Sequence, residues 1–442
     1  MRIMKTKIKG MLSIICVIVF GSGFFATCFA INLANKISLT PKCEVKTEYD
    51  SNIFSESTHE IEDTLLTLAP GFSVELKDIG DFQNYVSAGY NIGLVSYLKK
   101  NNNNYQYHTP YLLMAVKSPF GFYVYFNERY HATADPYGSS NNYRIGQKTQ
   151  RYENSLDLTF GYQYNIYSLE LLMKNYMTRY DELFDQWQDR TDNVISLALY
   201  SKLTESKKTS FLFEYRLTLA EYNKQNDNIE TWTDQTSQDY QMNDIMVGVR
   251  FEPGSKINGA IKFGWGTKGF DNEKDNFNRP YEDNNSWLID AQVDLDIIKD
   301  KTNVGFQFIR SIQGSPDSDA ASYIDTFLSF NLKYNLKKDL IFQGGLSWVN
   351  DDYRNEYPDD NDNNEFRPNK YFNTYGINLG VEYKLPQPEN GDEDDYDEGP
   401  IRKRDITAGI FYKYESKHAS HSDYSAGEYS KNVISAVVKG SF

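Results

Sequence analysis

What most constrains the fold of this chain is a device repeated from residue 37 to its end: about ten to fourteen residues of alternating polar and apolar character, then a turn. In the first example Ile37, Leu39, Cys43, Val45 and Tyr49 share one face, while Lys42, Glu44, Lys46 and Glu48 share the other. The same spacing groups Val86, Ala88, Tyr90, Ile92 and Leu94, then Leu156, Leu158, Phe160, Tyr162 and Tyr164, and later Phe211, Phe213, Tyr215, Leu217 and Leu219. A period of two means a strand with one wet and one apolar face. Helical spacing is nowhere sustained. Beyond the first thirty residues no apolar run reaches the roughly 18 residues of a membrane-spanning helix.

Eighteen such segments can be read, at 37–49, 63–76, 84–97, 105–117, 120–131, 148–164, 167–179, 192–203, 210–222, 240–251, 256–267, 286–297, 303–313, 322–335, 339–350, 371–384, 405–416 and 429–442. An even count suits a closed antiparallel barrel, because closure removes the unpaired edges that an open sheet of this size would expose. The connections test this independently. Lys77–Phe82, Ser118-Pro119, Asn165-Ile166, Thr204–Lys208, Glu252–Ser255, the region of Lys299–Lys301 and Lys337-Lys338 are short, whereas Ala132–Gly146, Asn223–Gln238, Gly269–Asn285 and Asn350–Asn369 are long and polar. Short turns at one end and long loops at the other are the pattern of outer-membrane barrels. The expectation is an all-β, transmembrane up-and-down barrel of about 18 strands over residues 31–442. One connection on the short-turn side departs from the pattern: 385–404 carries Pro386, Pro388, the acidic run Asp392–Glu398 and then Arg402-Lys403-Arg404, an insert that would face the periplasm and could meet a partner there.

The ends agree with an envelope protein. Arg2, Lys5, Lys7 and Lys9 lead into the apolar run Met11–Phe25, and Cys28-Phe29-Ala30 offers small residues for cleavage, so 1–30 reads as a signal peptide. Its removal would take Cys16 and Cys28 with it and leave Cys43 as a lone thiol on a strand. The last residues place Ile434, Ala436, Val438, Gly440 and Phe442 on one face. An aromatic carboxy-terminus of this kind resembles the terminal strand of Gram-negative outer-membrane proteins, which implies that Phe442 is read by the barrel assembly machinery.

Composition excludes two other classes. With 46 basic against 61 acidic residues, a formal charge of −15 opposes nucleic-acid binding. With 35 Tyr and 27 Phe, the chain carries far more ring surface than disordered segments do.

The first hairpin carries a more specific pattern: Leu39-Thr40-Pro41, then Tyr49-Asp50-Ser51-Asn52-Ile53-Phe54, then Asp63-Thr64-Leu65-Leu66-Thr67-Leu68-Ala69-Pro70-Gly71. This resembles the putative β-barrel porin type 2 family, outer-membrane proteins associated with exopolysaccharide gene clusters. The resemblance implies an integral outer-membrane location in a lipid bilayer, a role in passage or export of a polysaccharide or other polar solute, and a periplasmic export component as partner. Within the motif, Tyr49, Asp50, Asn52, Phe54, Pro70 and Gly71 have structural roles: Asp50-Ser51-Asn52 is expected to form side-chain-capped turns, and Pro70-Gly71 a bend or bulge.

Eighteen strands leave room for an aqueous lumen unless loops fill it. Alternation places Lys42, Lys46, Tyr125, Arg129, Arg151, Lys174, Tyr176, Arg216, Arg250, Lys262, Lys333 and Lys413 inward, opposed by Glu44, Glu75, Glu153, Asp157, Glu214, Asp244, Asp290, Asp294, Asp325 and Glu415. A wall of mixed sign gives no preference for anion or cation. Inward Tyr123, Tyr125, Tyr176 and Tyr200 are candidates for stacking on sugar rings. Neither a catalytic site, a metal nor a cofactor is expected. His418-Ala419-Ser420 puts a possible base and nucleophile on one strand face, as in outer-membrane lipid A deacylases, but those are much smaller barrels. His418 with His421 lacks a third metal ligand, and Asp359–Glu365 lacks the glycine of a calcium-binding loop. The expected function is therefore a porin-like passage, the alternative a structural or surface-interaction barrel working through its external loops.

Overall fold

The computed structural model describes residues 31–34, 37–55, 60–77, 84–134, 150–181, 189–203, 208–222, 239–251, 256–271, 283–314, 322–353, 370–386, 405–420 and 428–441. The expected signal peptide, most of the 385–404 insert, Phe442, His421 and the Asp359–Glu365 loop lie outside the described residues. Among the described residues there are nineteen strands and one 3-10 turn, Asn101–Asn103. A short β1 (Ile31–Ala34) precedes β2 (Ile37–Asp50), β3 (Asp63–Lys77), β4 (Tyr85–Tyr97), β5 (Tyr105–Lys117), β6 (Phe122–Thr133) and β7 (Arg151–Tyr164). Then come β8 (Tyr167–Tyr180), β9 (Arg190–Lys202), β10 (Thr209–Tyr222), β11 (Tyr240–Phe251), β12 (Ile257–Phe270) and β13 (Asn284–Ile298). The chain ends with β14 (Thr302–Gly314), β15 (Ser322–Lys337), β16 (Leu340–Tyr353), β17 (Lys370–Lys384), β18 (Asp405–Ala419) and β19 (Tyr429–Ser441).

From β2 onward each strand pairs antiparallel with the next, and β19 returns to β2 from Val433↔Asp50 to Ser441↔Lys42, so eighteen strands close a barrel. The short β1 pairs with the beginning of β2 through Ile31↔Leu39. Closure satisfies the backbone hydrogen bonds inside the sheet itself, the condition a bilayer imposes.

The alternation decides which face meets lipid. Phe211, Phe213, Ile245, Val247, Phe263 and Trp265 are all exposed on the outside of adjacent strands, where water would make such a surface costly. At the short-turn end Phe120, Phe122, Tyr162, Tyr164 and Tyr167 form an aromatic belt, with the Phe122 and Tyr162 rings 4.5 Å apart. Such belts mark the membrane–water interface.

Turns follow from the residues able to adopt them. Asn165 takes φ +54° in the two-residue link between Tyr164 and Tyr167. The β5–β6 turn is longer than Ser118-Pro119 because Gly121 belongs to it at φ +89°, where a Cβ would lie 2.2 Å from the Gln163 carbonyl oxygen. Strand β6 accordingly begins at Phe122.

Of the bend or bulge expected at Pro70-Gly71 in the first hairpin's return strand, the bulge is absent: pairing with β2 runs on through Cys43↔Pro70 and Lys42↔Gly71, and pairing with β4 pauses between Leu68↔Leu94 and Gly71↔Asn91 without slipping. Proline removes one N–H from the ladder, which leaves a gap but requires no extra residue. Gly71 is needed for a different reason, since a Cβ there would sit 2.1 Å from Asn91 Oδ1.

Candidate functional site

The face opposite the lipid surface lines the lumen, and its chemistry changes around the barrel. From β6 to β13 it is a chain of ion pairs. Glu170 on β8 accepts from the Tyr123 hydroxyl at 2.6 Å, the Tyr200 hydroxyl at 2.8 Å and Arg250 Nη1 at 2.9 Å. The Arg250 guanidinium lies over the Tyr200 ring, 4.7 Å from its centroid. The Tyr123 ring can reach Glu170 because Gly161 stands beneath it; a Cβ there would be 2.0 Å from the ring. Next along the wall Glu214 accepts from Arg216 at 2.7 Å and from Lys262 at 3.1 Å, and Lys262 continues to Asp290 at 2.7 Å. Asp244 lies 4.0 Å from Arg216, and Lys174 3.6 Å from Asp157. Cations and anions pair within strands and across them, so these charges neutralise one another.

From β13 through β19 to β2 the wall is rich in amides and glycines, with fewer charges among them. A cavity of about 730 Å³ is bordered there by Gln292, Asn303, Gln307, Asn331, Gln343 and Asn378, with Gly305, Gly345, Gly380 and Phe411 between them. The row Asp294, Gly305, Asn331, Gly345, Asn378, Lys413 runs directly across six adjacent strands. Glycine alternates with a longer polar side chain, and the room each glycine leaves is taken by a neighbouring side chain. At Gly345 a Cβ would lie 2.6 Å from Asn331 Oδ1, and at Gly380 2.4 Å from the Phe411 ring.

The long-loop mouth is different again. Tyr222, Tyr240, Phe270, Tyr323, Tyr353 and Phe372 lie inside it, with the Tyr323 and Tyr353 rings stacked 4.9 Å apart. Lys268, only 1% exposed, holds its ammonium 3.8 Å from the Tyr240 ring centroid and 4.5 Å from that of Phe270. Lys417 lies 4.2 Å over Phe372, and Arg190 joins Asp192 at 2.7 Å and donates to the Tyr240 hydroxyl. Cation–aromatic contacts of this kind are strongest where water is excluded.

The expected lumen residues fall into two groups. Arg151 meets Glu153 at 2.7 Å and Lys413 meets Glu415 at 2.6 Å; with Lys174, Arg216, Arg250 and Lys262 they are spent on carboxylates of the wall. Tyr125 and Tyr176 remain open to the lumen, at 51% and 42% exposure, and Arg129 has no ion pair among the described residues. Of the four tyrosines considered for sugar stacking, Tyr123 and Tyr200 have hydroxyls committed to Glu170. The amide wall was not singled out in the sequence, although period-two reading places every one of its residues inward.

Tyr49, Asp50, Asn52 and Phe54 stand at the barrel seam, where the first and last strands meet. Asp50 Oδ1 accepts the Asn52 N–H at 2.9 Å, and fully buried Asn52 donates Nδ2 to the Ser430 carbonyl at 3.2 Å. Ser51 and Asn432 exchange two bonds across the same seam, at 3.0 and 2.8 Å. Ile53 and Phe54 turn inward against Val95, Tyr97, Tyr105 and Tyr107. Buried Asp63 accepts the N–H groups of Thr64, Lys99 and Lys100, tying the return strand to the next turn. Beside it Glu62 accepts from Lys99 Nζ and the Tyr49 hydroxyl, both at 2.6 Å, and these donors, Lys99 first, hold its carboxyl below the ordinary glutamate range. Cys43 packs outside, against Val438, Val45, Leu68, Ile406 and Ala408.

His418 and Ser420 do not pair. His418 Nε2 lies 2.9 Å from Ser416 Oγ, while Ser420 Oγ accepts the Tyr371 N–H at 3.1 Å, and among the described residues no carboxylate orients the imidazole. The described residues contain no cluster of three metal-ligating side chains.

A family model described as Putative beta-barrel porin 2 matches residues 121–398. No curated protein matches the sequence. Among solved structures the siderophore receptor PirA from Pseudomonas aeruginosa aligns at 8% identity and a TM-score of 0.42, over 91% of this chain and 80% of that one. OccAB3 from Acinetobacter baumannii aligns at 9% and 0.38, over 91% and 99% of the two chains. A loop L8 deletion mutant of OmpT, an outer membrane protein of Vibrio cholerae, aligns at 9% and 0.35, over 92% and 100%. Similarity at this level carries no inference about what the present chain does.

Proposed function

Because the chain belongs to the putative beta-barrel porin 2 family, outer-membrane barrels of porin type, we propose that it takes part in the passage or export of a polysaccharide or other polar solute across the outer membrane. The observation that carries this reading is the cavity of about 730 Å³ inside the barrel, bordered by amide side chains that can hydrogen-bond a solute and by charges of both signs, Glu48 and Asp294 with Lys333 and Lys413. The short-turn end would face the periplasm, as in other outer-membrane barrels. There the 385–404 insert would dock an export component, and Phe442 would serve recognition by the barrel assembly machinery. The proposed role is non-enzymatic: Thr109 Oγ1 lies 2.9 Å from His131 Nδ1 and Ser416 Oγ 2.9 Å from His418 Nε2, but among the described residues no carboxylate hydrogen-bonds either imidazole, and the arrangement of His418 and Ser420 does not favour deacylase chemistry.

The buried cation–aromatic cluster in the mouth supports a second reading, a barrel closed at that end that works through its loops. Planar-bilayer conductance of the purified protein separates the two. Passage requires discrete current steps, and deleting the protein should lower surface polysaccharide at unchanged envelope integrity. Absence of steps together with unchanged polysaccharide would leave the surface-interaction barrel.

A further inference from the structure

The amide wall has a chemistry of its own. Its groups are uncharged, and each primary amide presents two donors and an acceptor in one plane, the complement of a pair of neighbouring hydroxyls. Asn331, Gln343 and Asn378 make no side-chain hydrogen bond among the described residues, although all line the cavity. The charges bordering the same cavity cancel. Glu48 is paired with Lys46 and Lys413 with Glu415, while Asp294 and Lys333, without ion pairs among the described residues, are of opposite sign. Asn331 and Asn378 stand on β15 and β17, either side of Gly345, two strand spacings or roughly 10 Å apart. That separation is comparable to the length of a disaccharide. The glycines make room for their neighbours, Asn331 Oδ1 over Gly345 and the Phe411 ring over Gly380, and that ring offers an apolar surface beside the amides. An ionic glycan would find no field to favour it, whereas a neutral one would find hydroxyl partners at low desolvation cost.

We propose that the wall formed by Gln292, Asn303, Gln307, Asn331, Gln343 and Asn378 is a binding site for an uncharged, hydroxyl-rich glycan. This deepens the passage reading and rests on it. The test uses the full-length barrel in detergent micelles, titrated calorimetrically with maltohexaose and with an oligogalacturonate of equal length, alongside bilayer conductance. The neutral sugar should bind more tightly than the acidic one. The double variant Asn331→Leu/Asn378→Leu should weaken maltohexaose binding about tenfold, the equivalent of one or two net hydrogen bonds, while heat-modifiability shows an intact barrel. Asn331→Gln/Asn378→Gln should restore much of the binding, which a merely structural role for these positions would not require. Tighter binding of the acidic sugar, no binding of maltohexaose, or binding indifferent to the double variant would overturn the amide assignment. If conductance steps persist in that case, the passage reading survives it. Glycan binding by a barrel that shows no steps and whose deletion leaves surface polysaccharide unchanged would instead retain the site and remove the passage reading.

Discussion

The two halves of the lumen wall solve the same problem, a polar surface facing an enclosed aqueous space, in opposite ways. Between β6 and β13 most long charged side chains satisfy one another, as Lys262 does by bridging Glu214 and Asp290. Between β13 and β2 amides stand among glycines: Gln292 and Asn303 donate to Asp290 and Asp296 and Gln307 accepts from Ser329, while Asn331, Gln343 and Asn378 leave their side-chain hydrogen-bonding capacity open among the described residues. Ion pairs therefore mark where the barrel holds itself together, and the free amides Asn331, Gln343 and Asn378 mark where it can hold something else. A reading by charge alone would look for the binding site on the wrong side.

The largest effect expected concerns the premise that both halves line one lumen. Leu346, more than half exposed on the lipid face of β16, should cost about 2–4 kcal/mol when replaced by arginine, whereas Ser347→Arg on the amide side of the same strand should cost less than about 1 kcal/mol, read from reversible unfolding in lipid vesicles. Equal costs would break the comparison at its base. Next is Lys262→Met, which leaves Asp290 without its cation and Glu214 with Arg216 alone; about 2–3 kcal/mol should be lost in the same assay, a figure reduced from that of dry ion pairs by lumen water. Asn331→Leu should change stability by less than about 0.5 kcal/mol, since that side chain supports nothing in the wall. A loss as large as that at Lys262 would show the amide half to be structural as well. The smallest effect is on ion selectivity. The self-neutralised wall should give cation and anion permeabilities within about threefold of each other, and Arg250→Gln, which uncovers Glu170, should shift the reversal potential modestly toward cations.

Much of this architecture was legible in the sequence because period two is a local property: each strand declares its faces without reference to its neighbours. Phe211, Phe213 and Tyr215 could be placed outward and Glu214 and Arg216 inward from spacing alone, and the structure has them so. The sequence says least where a residue's role depends on the adjacent strand. Pro70-Gly71 suggested a bend or bulge because proline's effect on one strand is known, and the unbroken register on both sides leaves no bulge. Tyr123 and Tyr200 are candidates for sugar stacking, and the structure adds that Glu170 on β8 takes both their hydroxyls.

The sequence by itself determined the strand number, the two faces and the ends at which long and short connections lie, because these follow from hydrophobic periodicity and turn chemistry within single segments. Only the tertiary structure decided which inward residues are spent and which are available. That depends on register, which sets Lys262 opposite Asp290 and Asn331 opposite Gly345. It depends also on curvature, which brings Arg250 within reach of Glu170 from three strands away. Closure added the seam, where Asn52 meets Ser430, residues from opposite ends of the chain that become neighbours only because the barrel leaves no edge unpaired.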